Sequence, residues 1–442
     1  MRRVLIIGYL WPYIGGSKRV IGLANYLPEF GWEPLILTAP LITAAPAHLH
    51  VIQTGYRGLL GPVVKAVGLK DNLPLGGQLK DSIRNISPRA ETVLRWCFDS
   101  FREFYAYPDE HKRWKYFAIA SAEEAIRNHG IDAMISVWPL TGHLIAHELN
   151  RRHGIPWIAD LADLWSDNSA YPYGRVRRWF DANLERRTLI SANVLTTSSQ
   201  PLADRLSLIH GGRKTSPILI GFDPNSTNRP PAPLRQGKLT ITYTGVFYEN
   251  KRDPYPVFRA LQQLISEKSI NANEIEIRIF GPDKSWVRQQ IKECGLSEVV
   301  HFYPSVPFEE CLERQRESHI LLQLNWNDRN EKGVFSGKFL DYLAAGRPIL
   351  AAGGTGNDEV VIKILKETHA GVYVSGIDDI KKAIKLFYSE YLSSGTIQYK
   401  GDWEEIEKYS NRSMAAHFAR HLDEIAGGKD IEAAAIHQPA KK

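Results

Sequence analysis

Cysteine is scarce in this sequence, with three among 442 residues. Cys97, Cys294 and Cys311 stand far apart and form no C-x-x-C pair, so neither a disulfide framework nor a structural zinc site is expected. A reducing cytosol fits that usage. HExxH, GxSxG and Walker sequences are missing, which removes the cues for a zincin, an α/β-hydrolase and a P-loop NTPase. No apolar run is long and clean enough to read as membrane-spanning: residues 34–56 lack Lys, Arg, Asp and Glu, but Pro40, Pro46 and several threonines and histidines interrupt them. That stretch reads as a strand followed by a loop. The chain enters a strand-like VLIIG at Val4, so no secretory leader is expected.

What is present is ordinary globular composition with a mild basic excess: 55 Lys and Arg against 49 Asp and Glu, net +6, pI near 9.0. That excess is small for a nucleic-acid binder and suits a protein that handles phosphates or meets an anionic surface. At 442 residues, two domains of about 200 residues each are expected.

Short apolar runs alternate with helix-length amphipathic segments, the pattern of parallel sheets covered by helices. RVLIIG, EPLILT, DAMISVW, PWIAD, NVLTTS and SPILIG supply strands in the first half; LTITYTG, EIEIRIFG, VVHFY, HILLQL, RPILAA and AGVYV restart the series in the second. The fold class is therefore α/β with two Rossmann-like domains. Residues 1–223 form the first and 239–410 the second, joined by the proline-rich 224–238. Residues 411–427 read as a last helix and 428–442 as a loose tail. Residues 55–119 are an insertion with a predicted helix that puts Leu94, Cys97, Phe98, Phe101, Phe104 and Tyr105 on one face. It either packs on its own domain or meets a membrane surface.

Two places carry the pattern of an anion site. Gly15 and Gly16 lie between the first strand and the first helix, where missing side chains either admit a ligand to the helix amides or simply make a tight turn. The turn is not G-x-G-x-x-G and no acid follows Leu37-Thr38, so NAD is not expected. In SGKFLDYLAAGRPILAAGG, residues 336–354, a helix opens with Ser-Gly-Lys, bears an acid one turn on and stops at Gly346 before Pro348. Ser336 is expected to cap it. Its first amides, with Gly337 and Lys338, would meet a phosphate, and Asp341 would accept hydroxyl bonds. The alternative is a capped helix with a solvated Lys-Asp pair.

The order of IGGSKRVIGLANYLPEFGWEPLILT, WIADLADLW, ITYTGVFYENKRDP and SGKFLDYLAAGRPILAAGG, over residues 4–425, resembles glycosyltransferases of the GT-B fold, family 4 in particular. The resemblance implies two Rossmann-like domains facing a cleft, a nucleotide-diphosphate sugar as donor held by the C-terminal domain, and an acceptor met by the N-terminal one. It implies transfer to an acceptor hydroxyl with retention, without metal or other cofactor; no D-x-D, the metal clamp of the other large glycosyltransferase fold, occurs.

The resemblance implies phosphate contacts from Lys251, Arg252 and Lys338, and donor contacts from Gly15, Gly16, Ser336, Gly337 and Asp341. It places Arg19, His143, Asp163 and Trp165 on the acceptor side. The family's paired glutamates appear here only as Asp341 at the second position, with Gly333 at the first, and Val246 replaces an expected arginine. Asp163 would hold an acceptor hydroxyl or cap the following turn. Arg175, Arg177, Arg178, Arg186 and Arg187 read as a solvated helix face, or as a site for an acceptor diphosphate or anionic lipid. The expected acceptor is a sugar or a polyprenyl-diphosphate-linked sugar at the inner face of a membrane, in polysaccharide or lipid-linked oligosaccharide synthesis. No nucleic acid is expected. A catalytically degenerate nucleotide-sugar-binding scaffold and a sugar-nucleotide epimerase are the other readings.

Overall fold

The computed structural model describes residues 1–9, 17–41, 44–55, 107–168, 171, 173–227, 233–328, 331, 333–354 and 359–436. The chain divides into two compact units, Met1–Ile218 with Met414–Lys442, and Leu219–Ser413. Residues 224–238, read above as the join, belong to the second. The insertion helix around residues 94–105 lies outside the described residues, as do Gly15 and Gly16.

In the first unit a seven-stranded parallel sheet has the order β3-β2-β1-β4-β5-β6-β7. The strands are β1 (Arg2–Ile7), β2 (Trp32–Thr38), β3 (His50–Gln53), β4 (Ala133–Ser136), β5 (Trp157–Leu161), β6 (Val194–Thr197) and β7 (Thr215–Pro217). The inner ones read as continuous apolar runs because both faces are covered: Val4 to Ile7 and Ala133 to Ile135 are fully buried. Strand β3 corrects the expectation of a loop after Thr38. Only four residues long and half-exposed, it pairs with β2 at the sheet edge, where a strand needs little apolar signal. The helices are α1 (Ser17–Tyr26), α2 (Trp114–His129), α3 (Leu140–His153), α4 (Arg175–Leu189) and α5 (Gln200–Ile209).

The second unit holds a six-stranded parallel sheet, β10-β9-β8-β11-β12-β13, made of β8 (Leu239–Thr244), β9 (Ile275–Phe280), β10 (Val300–Tyr303), β11 (Ile320–Leu324), β12 (Ile349–Ala352) and β13 (Gly371–Val374). Its helices are α6 (Tyr255–Ser266), α7 (Ser285–Glu293), α8 (Phe308–Arg316), α9 (Lys338–Ala345), α10 (Glu359–Thr368), α11 (Ile377–Ser394) and α12 (Trp403–Glu407). Helix α13 (Asn411–Ile436) follows, and its residues from Met414 on count with the first unit. It runs nine residues past the expected end at 427, because the alanine-rich EAAAI offers nothing that stops a helix.

Both sheets reverse strand order once, between β1 and β4 and between β8 and β11. In an open parallel sheet the loops leaving the strands on either side of that reversal diverge, and the crevice between them is where ligands bind. The functional candidates sort onto these two places.

Candidate functional site

In the second unit the reversal is flanked by the loop after β8 and the segment between β11 and α9. Strand β8 ends in Tyr243-Thr244-Gly245, and α9 is tied to that end: the Tyr342 hydroxyl accepts from the Thr244 amide at 2.9 Å, and Gln315 on α8 donates to the Thr244 hydroxyl at 3.0 Å. This anchoring delivers Lys338, the first residue of α9, beside Gly245. A side chain at Gly245, where φ is 129°, would sit 3.2 Å from the Lys338 amine, so glycine leaves room for the lysine.

Lys338 is half-buried as a residue, but its amine is tucked inward. It lies 3.5 Å from the centroid of the Tyr243 ring and is buried with no hydrogen-bond acceptor. Burial holds its pKa well below the ordinary lysine value, and the Arg252 charge pushes the same way.

Arg252 and Lys251 leave the same loop with different fates. The Lys251 amine pairs with Glu331 at 2.6 Å and Asp328 at 3.4 Å, and these partners raise its pKa. Its charge is compensated within the protein. The Arg252 guanidinium stacks over Tyr248 and Trp326, at 5.5 Å from each ring, and its buried Nε has no acceptor. Two neighbouring basic groups without a counter-charge are costly to keep protonated in a protein interior unless an anion completes them. Of the three expected phosphate contacts, the structure brings Arg252 and Lys338 together with free donors and gives Lys251 to acids.

Ser336 does not cap α9. Gly337 holds the N-cap position with no side-chain hydrogen bond, and the Ser336 carbonyl accepts from the Phe339 amide at 2.9 Å. The physical reason is that Gly337 is itself in helical conformation, φ −56° and ψ −23°, which turns the chain before a serine at 336 can reach the N2 or N3 amides. Asp341 is buried in the first turn of the helix. Gly346, at φ 62°, ends it as expected.

In the first unit, residues from the carboxyl ends of β1, β4 and β5 gather at the other reversal. Arg19 corrects the picture of an open acceptor-side arginine. It is 2% exposed, its Nε lies 3.1 Å from Asp160, one terminal nitrogen donates to the Ile218 carbonyl at 2.8 Å, and its guanidinium lies over Phe418. The Asp160 carboxyl also accepts from Thr196 at 2.7 Å. Asp163 is exposed, yet the surrounding protein raises its pKa against the opposing Arg19 charge. Arg19 thus reaches the surface only through its field on Asp163.

His143 is likewise buried, 2% exposed. Its Nδ1 lies 2.7 Å from the Ser136 hydroxyl, its ring faces Trp165 at 6.3 Å, and burial lowers its pKa to about 3. Near neutral pH it is an uncharged packing ring, because desolvation in an aromatic surround outweighs any gain from protonation. Trp165 is buried too.

The sequence reading passed over the exposed part of this place. Trp138, directly after β4, is 47% exposed and lies edge-on to His111, whose ring is 3.8 Å from that of Tyr9 after β1. Asp109 fixes the cluster by accepting from the Thr141 amide and hydroxyl, both at 2.7 Å, at the start of α3. The signal was available: SVWPL puts a tryptophan just past a core strand, where a large apolar side chain has no core to enter.

Comparison with known proteins agrees with this architecture. Residues 15–221 match the glycosyl transferase 4-like domain. No curated protein matches the sequence. Among solved structures, sucrose-phosphate synthase from Thermosynechococcus elongatus is similar over 97% of this chain and 100% of its own, at 12% identity and a TM-score of 0.62. A glycosyltransferase from Rickettsia africae is similar over 96% and 98%, at 13% identity and 0.57. The E. coli trehalose-6-phosphate structure bound with UDP-2-fluoro glucose is similar over 96% and 99%, at 12% identity and 0.55. Among the described residues no helix is long and apolar enough to cross a membrane. The chain has the two Rossmann-like domains of the GT-B fold, and its residues 15–221 match a glycosyl transferase 4-like domain.

Proposed function

We propose that this protein is a glycosyltransferase that moves a sugar from a nucleoside-diphosphate sugar to an acceptor hydroxyl, with retention and without a metal ion. The observation that carries the reading is the pair of basic side chains Arg252 and Lys338 at the β8–β11 reversal, whose buried Nε and amine nitrogens have no hydrogen-bond acceptor. A diphosphate supplies the missing charge and acceptors. The bond from the anomeric carbon to the β-phosphate oxygen breaks as the acceptor oxygen bonds to that carbon on the same face. The acceptor proton leaves with the diphosphate, and Arg252, Lys338 and the first amides of α9 hold the developing negative charge. Asp341, one turn along, suits the ribose hydroxyls. The absence of D-x-D from the sequence supports transfer that relies on these cations.

On the acceptor side we assign Asp163 to a hydroxyl and the exposed Trp138 indole to the apolar face of a sugar ring, backed by His111 and Tyr9. A polyprenyl-diphosphate-linked sugar at an anionic membrane surface fits the basic excess of the chain, and polysaccharide or lipid-linked oligosaccharide synthesis is the setting in which such acceptors are used.

The test is a thermal-shift screen against UDP, GDP and the common UDP- and GDP-sugars. A ligand at a hundred times its dissociation constant adds about 2.7 kcal/mol. A shift with one nucleotide identifies the donor base, and turnover with an acceptor then follows. Isomerised nucleotide sugar without acceptor would instead mark an epimerase. Donor binding with no turnover on any acceptor would mark a degenerate scaffold, and no shift with any nucleotide would overturn the donor assignment.

A further inference from the structure

Helix α4 carries a surface that neither the fold nor the transfer chemistry uses. The charged groups of its buried side are paired within the protein. Arg177 pairs with Asp181 at 3.0 Å, donates to the Pro108 carbonyl at 2.8 Å and lies between the rings of Tyr107 and Tyr173. Glu185 accepts from the Ser166 amide at 3.0 Å and meets His210 at 3.3 Å. Both acids of the helix are thereby turned inward and spent.

At 3.6 residues per turn, the exposed residues Arg175, Arg186, Trp179, Ile190, Val176, Arg187 and Phe180 fall, in that order, within an arc of about 140°. Arg178 flanks it, stacked over Tyr171. Trp179 is 62% exposed and Phe180 48%, and their rings meet edge to face at 5.0 Å. The arc carries arginine, aromatic and branched aliphatic side chains and, apart from the half-buried neutral Asn183, nothing else; it holds no acid.

We propose that this face of α4 docks on an anionic lipid surface, with Trp179, Phe180, Val176 and Ile190 entering the headgroup layer and Arg175, Arg178, Arg186 and Arg187 meeting lipid phosphates. Charge complementarity selects that occupant. An arginine extends its charge to the headgroups while its stem lies along apolar surface, and aromatic side chains favour the same depth. An acidic protein would be met by the arginines alone and would leave two exposed aromatic rings without a role.

The position is also apt. Helix α4 follows β5, so Arg175 to Phe180 lie toward the carboxyl edge of the first sheet, the edge that bears Asp163 and Trp138. The purpose of docking rests on the lipid-linked acceptor proposed above; the docking itself does not.

The experiment is flotation of the full chain with vesicles of phosphatidylcholine alone and with 30–40% phosphatidylglycerol, about the anionic content that makes surface potential effective. Flotation is expected only with the anionic vesicles and is expected to fall at high salt. Trp179→Ala with Phe180→Ala should abolish it, and each arginine changed to Gln should weaken binding about fivefold, from roughly 1 kcal/mol per basic residue. Both variants are expected to keep the wild-type nucleotide thermal shift, which shows that they fold.

Wild-type protein that stays in the soluble fraction at low salt, or a Trp179→Ala, Phe180→Ala variant that floats as wild type, overturns the proposal. Flotation of wild type together with full turnover on an acceptor that has no lipid would leave docking intact and remove the lipid-linked acceptor.

Discussion

Arg19, which is buried, and Arg252, which is half-buried, both lie beside a strand-order reversal, but their charges are handled in opposite ways. Arg19 faces Asp160 at 3.1 Å and donates to the Ile218 carbonyl at 2.8 Å, so its charge has a carboxylate opposite it inside the first unit even though its Nε, like that of Arg252, makes no hydrogen bond. Arg252 has two aromatic rings and, next to it, a second basic group in Lys338, whose protonation the Arg252 charge opposes. A matched buried pair holds a fold in register, whereas an unmatched buried cation cluster is a cost that a ligand can remove. The contrast recurs between adjacent residues, since Lys251 is matched by Glu331 and Asp328 and Arg252 is not.

The largest expected effect breaks the matched side. Asp160→Ala leaves Arg19 buried without its carboxylate, and removing one partner of such a pair costs about 3–5 kcal/mol. Urea denaturation should show the loss. A change below about 1 kcal/mol would mean that water reaches Arg19 and that the pair is not the dry contact described.

On the unmatched side, Arg252→Met and Lys338→Met should each weaken UDP or GDP binding by about tenfold to a hundredfold, since hydrogen bonds to charged groups are worth about 1.5–3 kcal/mol. Lys251→Met should cost less than about fivefold, as expected for a partly exposed charge already paired within the protein. Calorimetric titration of the three variants separates them, and equal losses would erase the distinction between neighbours.

A smaller effect has the opposite sign. With its pKa lowered by burial, Lys338 sheds its proton more readily in the folded chain than in the unfolded one, so below pH 10.5 the unfolded chain holds the extra proton and folding is penalised. Stability therefore rises with pH from the lowered pKa up to about 10.5. Lys338→Met should remove that slope and raise the unliganded protein's stability by about 0.5–2 kcal/mol, the usual yield of relieving a functional strain. Thermal melts across pH 6–10 check it.

The smallest belongs to His143. Burial takes its pKa to about 3 from the ordinary 6.5, so the unfolded chain takes the proton first and the native state loses stability as pH drops through that window. His143→Gln should make acid unfolding less steep, as followed by tryptophan fluorescence.

Much of the framework was legible because buried parallel strands write themselves as apolar runs: all six expected strands of the second sheet are present, and β1, β2, β4, β5 and β6 of the first. Strand β3 escaped because HVIQ at a sheet edge is short and half-exposed. At the site, the sequence could nominate Lys251, Arg252 and Lys338, but not decide among them. That decision lies in pairings across 80 residues, Glu331 with Lys251, and in the inward fold of a lysine stem made possible by Gly245. Arg19 and His143 were nominated by type and position, while their burial depends on Asp160, Phe418, Ser136 and Trp165 converging from separate elements. Spacing along one segment carries no trace of such convergence.

The most direct test of the unmatched-cation account is the proton inventory of donor-nucleotide binding. Titrating UDP or GDP, whichever shifts the melt, in buffers of different ionisation enthalpy across pH 6–9 reads how many protons are taken up. The account predicts that binding the diphosphate raises the lowered pKa of Lys338, so that any proton uptake linked to binding disappears in Lys338→Met together with the loss of affinity. Nucleotide binding with no proton uptake at any pH, and with affinity unchanged in Lys338→Met, would contradict it.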